Sequence, residues 1–132
     1  MVEAALNPRA RPARVLIADD EPLFVEMLEA LLGADPRLEV VGAARNGLEA
    51  VDLTLALEPD VTLMDISMPG VDGIEAVRRI RRSRSDACVV MLTGSSAAAD
   101  VDRSRQAGAV GFLTKDRIGS DLVETILDVA SR

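Results

Sequence analysis

Asp19 and Asp20 close the apolar run Val15-Leu16-Ile17-Ala18, and Asp65 closes Val61-Thr62-Leu63-Met64. Thr93 closes Val89-Val90-Met91-Leu92, and Lys115 closes Val110-Gly111-Phe112-Leu113-Thr114. If these runs are parallel strands of one open sheet, three acids, a hydroxyl and an amine meet at its carboxyl edge, where such sheets bind ligands. Neighbouring carboxylates repel one another, and a hard divalent cation relieves that repulsion. Mg²⁺ suits the set, because it takes oxygen ligands, keeps several waters and commonly uses one or two carboxylates beside phosphate oxygens. Mn²⁺ is the alternative ion for such donors. Asp20 and Asp65 are expected as direct ligands, with Asp19 acting through water. A carboxylate can also attack phosphorus and become an aspartyl phosphate, a transfer governed by position and charge. Lys115 and Thr93 would then offer an ammonium and a hydroxyl to phosphoryl oxygens. Singly, each residue has a plainer reading: a strand-end Asp is commonly a turn or cap residue, and a lone Lys a solvated one. Only convergence of all four strand ends makes the chemistry.

The elements needed to bring them together are legible as alternating patterns. Arg14–Asp19 is a short, nearly all-apolar run, as a strand buried on both faces requires. Pro22 opens a helix in which Leu23, Phe24, Met27, Leu28, Leu31 and Leu32 recur at helical spacing up to Gly33. Leu38–Ala44 reads as a second strand, and Leu48, Val51, Leu55 and Leu57 as the stripe of a second helix. Val61–Asp65 is a third strand, Met68-Pro69-Gly70 a loop, and Gly73–Arg82 a basic helix with Ile74, Val77 and Ile80 inward. Ala87–Thr93 and Val110–Thr114 complete the strands, around a weaker helix over Ser95–Ala107. Ser120 and Asp121 are expected to cap a last helix carrying Leu122, Val123, Ile126 and Leu127. A βα unit repeated five times predicts a parallel sheet with helices on both faces. The expected fold is therefore an α/β, flavodoxin-like doubly wound (βα)5 three-layer sandwich in strand order 2-1-3-4-5. That order sets the first and third strand ends side by side at the switch point.

Composition narrows the function. The 132 residues fit one domain, read as a disordered leader over 1–13 and a folded unit over 14–132. The net charge of −7 argues against direct nucleic-acid binding. Histidine is absent, which removes Ser-His-Asp and Cys-His catalysis and most zinc sites, and self-phosphorylation on His. Cys88, the single cysteine, is expected as a small buried hydrophobe inside a strand, in a reducing compartment. No apolar run approaches the roughly 20 residues of a membrane span, and residues 1–13 lack the apolar region of a secretory signal. Cytoplasmic location is the expectation.

Three stretches resemble the receiver domain of two-component response regulators: Val15-Leu16-Ile17-Ala18-Asp19-Asp20-Glu21-Pro22, Pro59–Gly73 around Met64-Asp65-Ile66-Ser67-Met68-Pro69-Gly70, and Ala107–Lys115. The resemblance covers roughly residues 14–130. It implies that Asp65 is the phosphoacceptor, that Asp20, Asp65 and the backbone carbonyl of Ser67 hold Mg²⁺, and that Asp19 lies outside the first ligand sphere. It further implies that Thr93 and Phe112 form a switch pair, the ring swinging inward when Thr93 meets the phosphoryl group. The donor would be a phosphohistidine on a separate sensor histidine kinase. Such a domain is not an enzyme in the usual sense, but self-phosphorylation from phosphodonors and autodephosphorylation are expected. Asp20-Glu21-Pro22-Leu23-Phe24 and Lys115-Asp116 are most similar to receivers joined to helix-turn-helix output domains of the LuxR type, which implies transcriptional regulation. Asp116 stands where most other receivers have a proline after a cis peptide bond, and Phe112 where Tyr is commoner.

Other readings of the same residues are a haloacid-dehalogenase-like phosphatase, a flavin-binding protein and a receiver that works without phosphorylation. The first needs a second acid two residues after the nucleophile, where this chain has Ser67. The second lacks aromatic surface and a Ser/Thr/Gly-rich phosphate loop after the first strand. The third is opposed by the complete set of acids, Thr and Lys. Both a stand-alone receiver and one joined to further chain remain open. The apolar residues of the first and last helices are either all core or partly exposed, forming a symmetric homodimer on phosphorylation.

Overall fold

A computed structural model of the chain describes residues 11–94 and 98–131. Residues 1–10 of the expected leader, and residues 95–97 of the expected fourth helix, lie outside them. Within the described residues the order is β1 (Ala13–Ala18), α1 (Pro22–Gly33), β2 (Leu38–Ala44), α2 (Gly47–Leu57), β3 (Val61–Asp65), α3 (Gly73–Ser83), β4 (Val89–Thr93), α4 (Ala98–Ala107), β5 (Gly111–Thr114) and α5 (Ile118–Ala130), with a 3₁₀ turn over Lys115–Arg117. The strands form one parallel sheet in the order β2-β1-β3-β4-β5, as expected.

Side chains alternate across the sheet, and each face closes its own core. Val15, Ile17, Val61, Leu63, Val90 and Leu92 point to α1 and α5, where Leu28, Leu32, Leu122 and Ile126 are fully buried. Ala18, Met64, Val89 and Met91 point to α2, α3 and α4, against Val51, Ile74, Val77 and Ile80. Burial of each such large side chain contributes about 1.5–3 kcal/mol.

Helix starts are set locally. Asn46 and Asp72 cap α2 and α3 by accepting from the backbone N–H of Glu49 and Glu75, each at 2.8 Å. The start of α5 departs from expectation. Ser120 and Asp121 lie inside the helix, because the 3₁₀ turn after Lys115 carries the chain directly into it with no side-chain cap. Ser120 Oγ instead donates to the Arg117 carbonyl, and Asp121 accepts from Arg117 Nε at 2.9 Å.

Two expected core residues are not core. Leu48 is 55% exposed, since α2 buries Gly47, Ala50, Val51 and Thr54 instead. Cys88 precedes β4 and is half-buried, its thiol directed at the Asp86 carbonyl. The α1 stripe divides: Leu28 and Leu32 are buried, whereas Leu23 is 80% and Met27 46% exposed. No helix among the described residues is long and apolar enough to cross a membrane.

Candidate phosphoacceptor and metal site

The parallel register brings the strand ends together. Ala18 lies opposite Met64, Asp65 opposite Leu92, and Thr93 opposite Thr114. Asp19, Asp20 and Asp65 each offer a carboxylate oxygen within 4.8 Å of the others. Asp19 and Asp65 are buried, while Asp20 is exposed.

Hydrogen bonds fix the backbone under these acids. Asp19 N–H donates to the Ala44 carbonyl at 3.0 Å, and Ile66 N–H to the Leu92 carbonyl at 3.1 Å. Gly73 N–H turns back to the Ile66 carbonyl at 2.8 Å. A Cβ on Gly73 would collide with the Asp65 carbonyl and lie 2.9 Å from Ile66 Cα, so α3 can start this close to the site only from a glycine. Gly70, at φ +74, makes the left-handed turn in the intervening loop. Sequence reading took Gly73 only as a helix start; a glycine directly after the capping Asp72 was the available signal.

Lys115 crosses the pocket from the end of β5. Its Nζ donates to Asp19 Oδ2 at 3.0 Å and stands 3.6 Å from Asp65 Oδ1. The closer pairing is with Asp19. Asp19 is 1% exposed, so its charge has the least water and depends most on the ammonium. The other Asp19 oxygen accepts from Glu21 N–H at 2.9 Å. The ammonium also sits 4.1 Å above the centre of the Phe24 ring, a contact that α1's helical spacing could not reveal.

The electrostatics suit an exchange of charge at Asp65. Burial first, then the Asp19 charge, raises the Asp65 pKa to about 6, with Asp20 adding to the rise. Lys115 and the Ser67 backbone N–H pull in the opposite direction. For Lys115, burial works against the charge, but the Asp19 hydrogen bond and the Asp65, Asp19 and Glu21 charges outweigh it and hold its pKa above the usual value. Three acids sharing one ammonium leave negative charge that a divalent cation would neutralise.

Thr93 is buried at the end of β4. By strand alternation its side chain lies on the same sheet face as Met91, and Phe112 packs against the core on that face. Phe112 is half-buried and lines a cavity of about 310 Å³ with Val101, Ser104, Arg105, Ala109, Val110 and Gly111. Ser104 Oγ is buried with no hydrogen-bond partner among the described residues. No peptide bond among the described residues is cis.

Residues 15–127 match the family model of the response regulator receiver domain. The chain is 40% identical over 119 residues to the nitrate/nitrite response regulator protein NarP of Escherichia coli K12, a match covering 90% of this chain and 55% of NarP. It is 46% identical over 106 residues to a protein-glutamate methylesterase/protein-glutamine glutaminase of Pseudomonas fluorescens, covering 78% of this chain and 28% of that protein. The receiver domain of the putative response regulator NarL from Mycobacterium tuberculosis superposes with a TM-score of 0.88 at 36% identity, over 92% of this chain and 98% of that one. With five parallel strands in this order and these acids at their ends, the chain belongs to the receiver domains of two-component response regulators. It spans a little over half the length of NarP and matches only 28% of the methylesterase, so the receiver alone does not define an output.

Proposed function

We propose that Asp65 accepts a phosphoryl group from a phosphohistidine of a sensor histidine kinase. An Asp65 carboxylate oxygen attacks phosphorus, the phosphorus–nitrogen bond breaks, and the imidazole leaves with its electron pair and takes up a proton. Mg²⁺, or Mn²⁺ in its place, would neutralise charge on the acids and on the transferring group. Asp20, Asp65 and the Ser67 carbonyl are the proposed ligands. Asp20 is exposed, whereas both Asp19 oxygens already accept hydrogen bonds, which supports an outer role for Asp19. Lys115 and Thr93 receive the phosphoryl oxygens. Small phosphodonors serve in place of the kinase, and the acyl phosphate hydrolyses by itself.

Phosphorylation then draws Thr93 toward the site and lets Phe112 turn inward, a population shift between two arrangements. Exposed Leu23 and Met27 on α1, with half-buried Val123 and Leu127 on α5, support a phosphorylation-dependent homodimer through these helices. Together with the sequence resemblance to receivers of LuxR-type regulators, this favours control of transcription by a DNA-binding output, in the cytoplasm, the receiver itself not touching DNA. The observation that carries the phosphoryl reading is the Asp65 carboxylate at the central strand end, 3.6 Å from Lys115 and flanked by two more acids. The test is intact mass after incubation with acetyl phosphate and Mg²⁺. The parent should gain one phosphoryl group, EDTA should abolish the gain, and an Asp65→Asn protein labelled as fully as the parent would contradict the assignment.

A further inference from the structure

Lys115 is the chain's single lysine, and Phe24 one of its two aromatic residues. They meet: Nζ stands 4.1 Å from the ring centre. An ammonium over an aromatic face is attracted by the ring's quadrupole, more strongly where water is scarce. Phe24 is half-buried and packs against the core beneath α1, so its ring is anchored. The remaining contacts of the ammonium are with two carboxylates, Asp19 at 3.0 Å and Asp65 at 3.6 Å. A phosphoryl group on Asp65 would change the charge on one of those partners. The ring's pull does not change, and it acts from outside the ring of acids without adding a competing anion.

We propose that Phe24 is a positioning residue for phosphoryl transfer: its ring holds the Lys115 ammonium at the mouth of the acid pocket, where it meets the incoming phosphoryl oxygens. This inference rests on Asp65 being the phosphoacceptor. Phe24 carries no polar group and can neither coordinate a metal nor bond a phosphoryl oxygen, so the proposed action runs through Lys115. The same contact ties the site to α1, whose neighbouring Leu23 and Met27 are exposed.

The test compares initial rates of labelling by acetyl phosphate at saturating Mg²⁺ in the parent, Phe24→Leu and Phe24→Tyr, each also in a Lys115→Gln background. Phe24→Leu should label roughly three- to tenfold more slowly, the size expected of one cation–π contact. Phe24→Tyr keeps a π face and should stay within about twofold of the parent. In the Lys115→Gln background, Phe24→Leu should change nothing further. Selective ¹³C labelling of lysine gives one signal in this chain, and it should shift in Phe24→Leu as the ring current is lost. Phe24→Met, which also fills the core, repeats the measurement should Phe24→Leu fold poorly. A parent that takes no label overturns the site reading and this inference with it. A labelled parent with an equally fast Phe24→Leu, the same slowing without Lys115, a slow Phe24→Tyr, or an unmoved lysine signal each overturns the role of Phe24 while leaving Asp65 in place.

Discussion

The ends of β1 and β3 and the ends of β4 and β5 border one pocket, yet the two halves are held differently. Under Asp19 and Asp65, backbone hydrogen bonds tie β1 to β2 and β3 to β4, and Gly73 seats α3 against the Asp65 carbonyl. Around Phe112, residues of α4 and β5 line a cavity of about 310 Å³. Among its described residues α4 buries only Ser104 and Ala107, and the Ser104 hydroxyl has no hydrogen-bond partner. Transfer chemistry needs reacting groups held within a fraction of an ångström. A switch needs an element whose rearrangement costs little, and such elements come from the weakly held parts of a fold. The tight half suits the proposed phosphoacceptor, and the loose half suits the proposed response.

A matched pair of glycines gives the sharpest contrast. A Cβ on Gly73 meets backbone, whereas one on Gly94, just past β4, has nothing within 4 Å among the described residues. Gly73→Ala should cost about 3 kcal/mol or more and displace Asp65, while Gly94→Ala should stay within about 0.5 kcal/mol. Chemical denaturation with labelling by acetyl phosphate reads both. Equal costs would erase the distinction between the halves.

The next effect is in pH. The Asp65 pKa of about 6 lies above the usual carboxylate value, so between about pH 4 and 6 the folded protein holds a proton that the unfolded chain has released. Without metal, the stability contributed by this group therefore falls as pH rises through that window. Asp65→Asn should be more stable than the parent above pH 6 by roughly 1–3 kcal/mol, and not below pH 4. Saturating Mg²⁺ should reverse the parent's slope by favouring the ionised carboxylate. A pH-independent difference between the two proteins would mean that Asp65 is ionised throughout.

Much of this was legible in the sequence, for a physical reason. A polar residue that ends an apolar run marks a parallel strand's carboxyl end, so Asp19, Asp65, Thr93 and Lys115 were found without coordinates. The bounds of β2 and β3 followed in the same way. What failed depends on contacts between distant segments. The Asp19–Lys115 hydrogen bond joins residues 96 apart, and no local pattern sets which of two acids the ammonium prefers. Phe24 was counted with the apolar stripe because helical spacing gives burial but not the neighbour above the ring. Leu48 fitted the period of α2, but Ala50, Val51 and Thr54 took the inward face.

The smallest expected effect belongs to the loose half. Ser104 Oγ is buried without a hydrogen-bond partner among the described residues, so Ser104→Ala removes a desolvated hydroxyl and should be neutral or stabilising by up to about 1 kcal/mol. A loss beyond that in thermal or urea unfolding would show that α4 is better secured than its packing indicates.

The central claim, phosphoryl transfer to the end of β3, is tested most directly by locating the label. After treatment with acetyl phosphate and Mg²⁺, borohydride reduces an aspartyl phosphate to homoserine, which peptide mass spectrometry assigns to a position. The expected result is homoserine at position 65 alone. Homoserine at position 19 or 20, or at none, in protein that has taken up a phosphoryl group would contradict it.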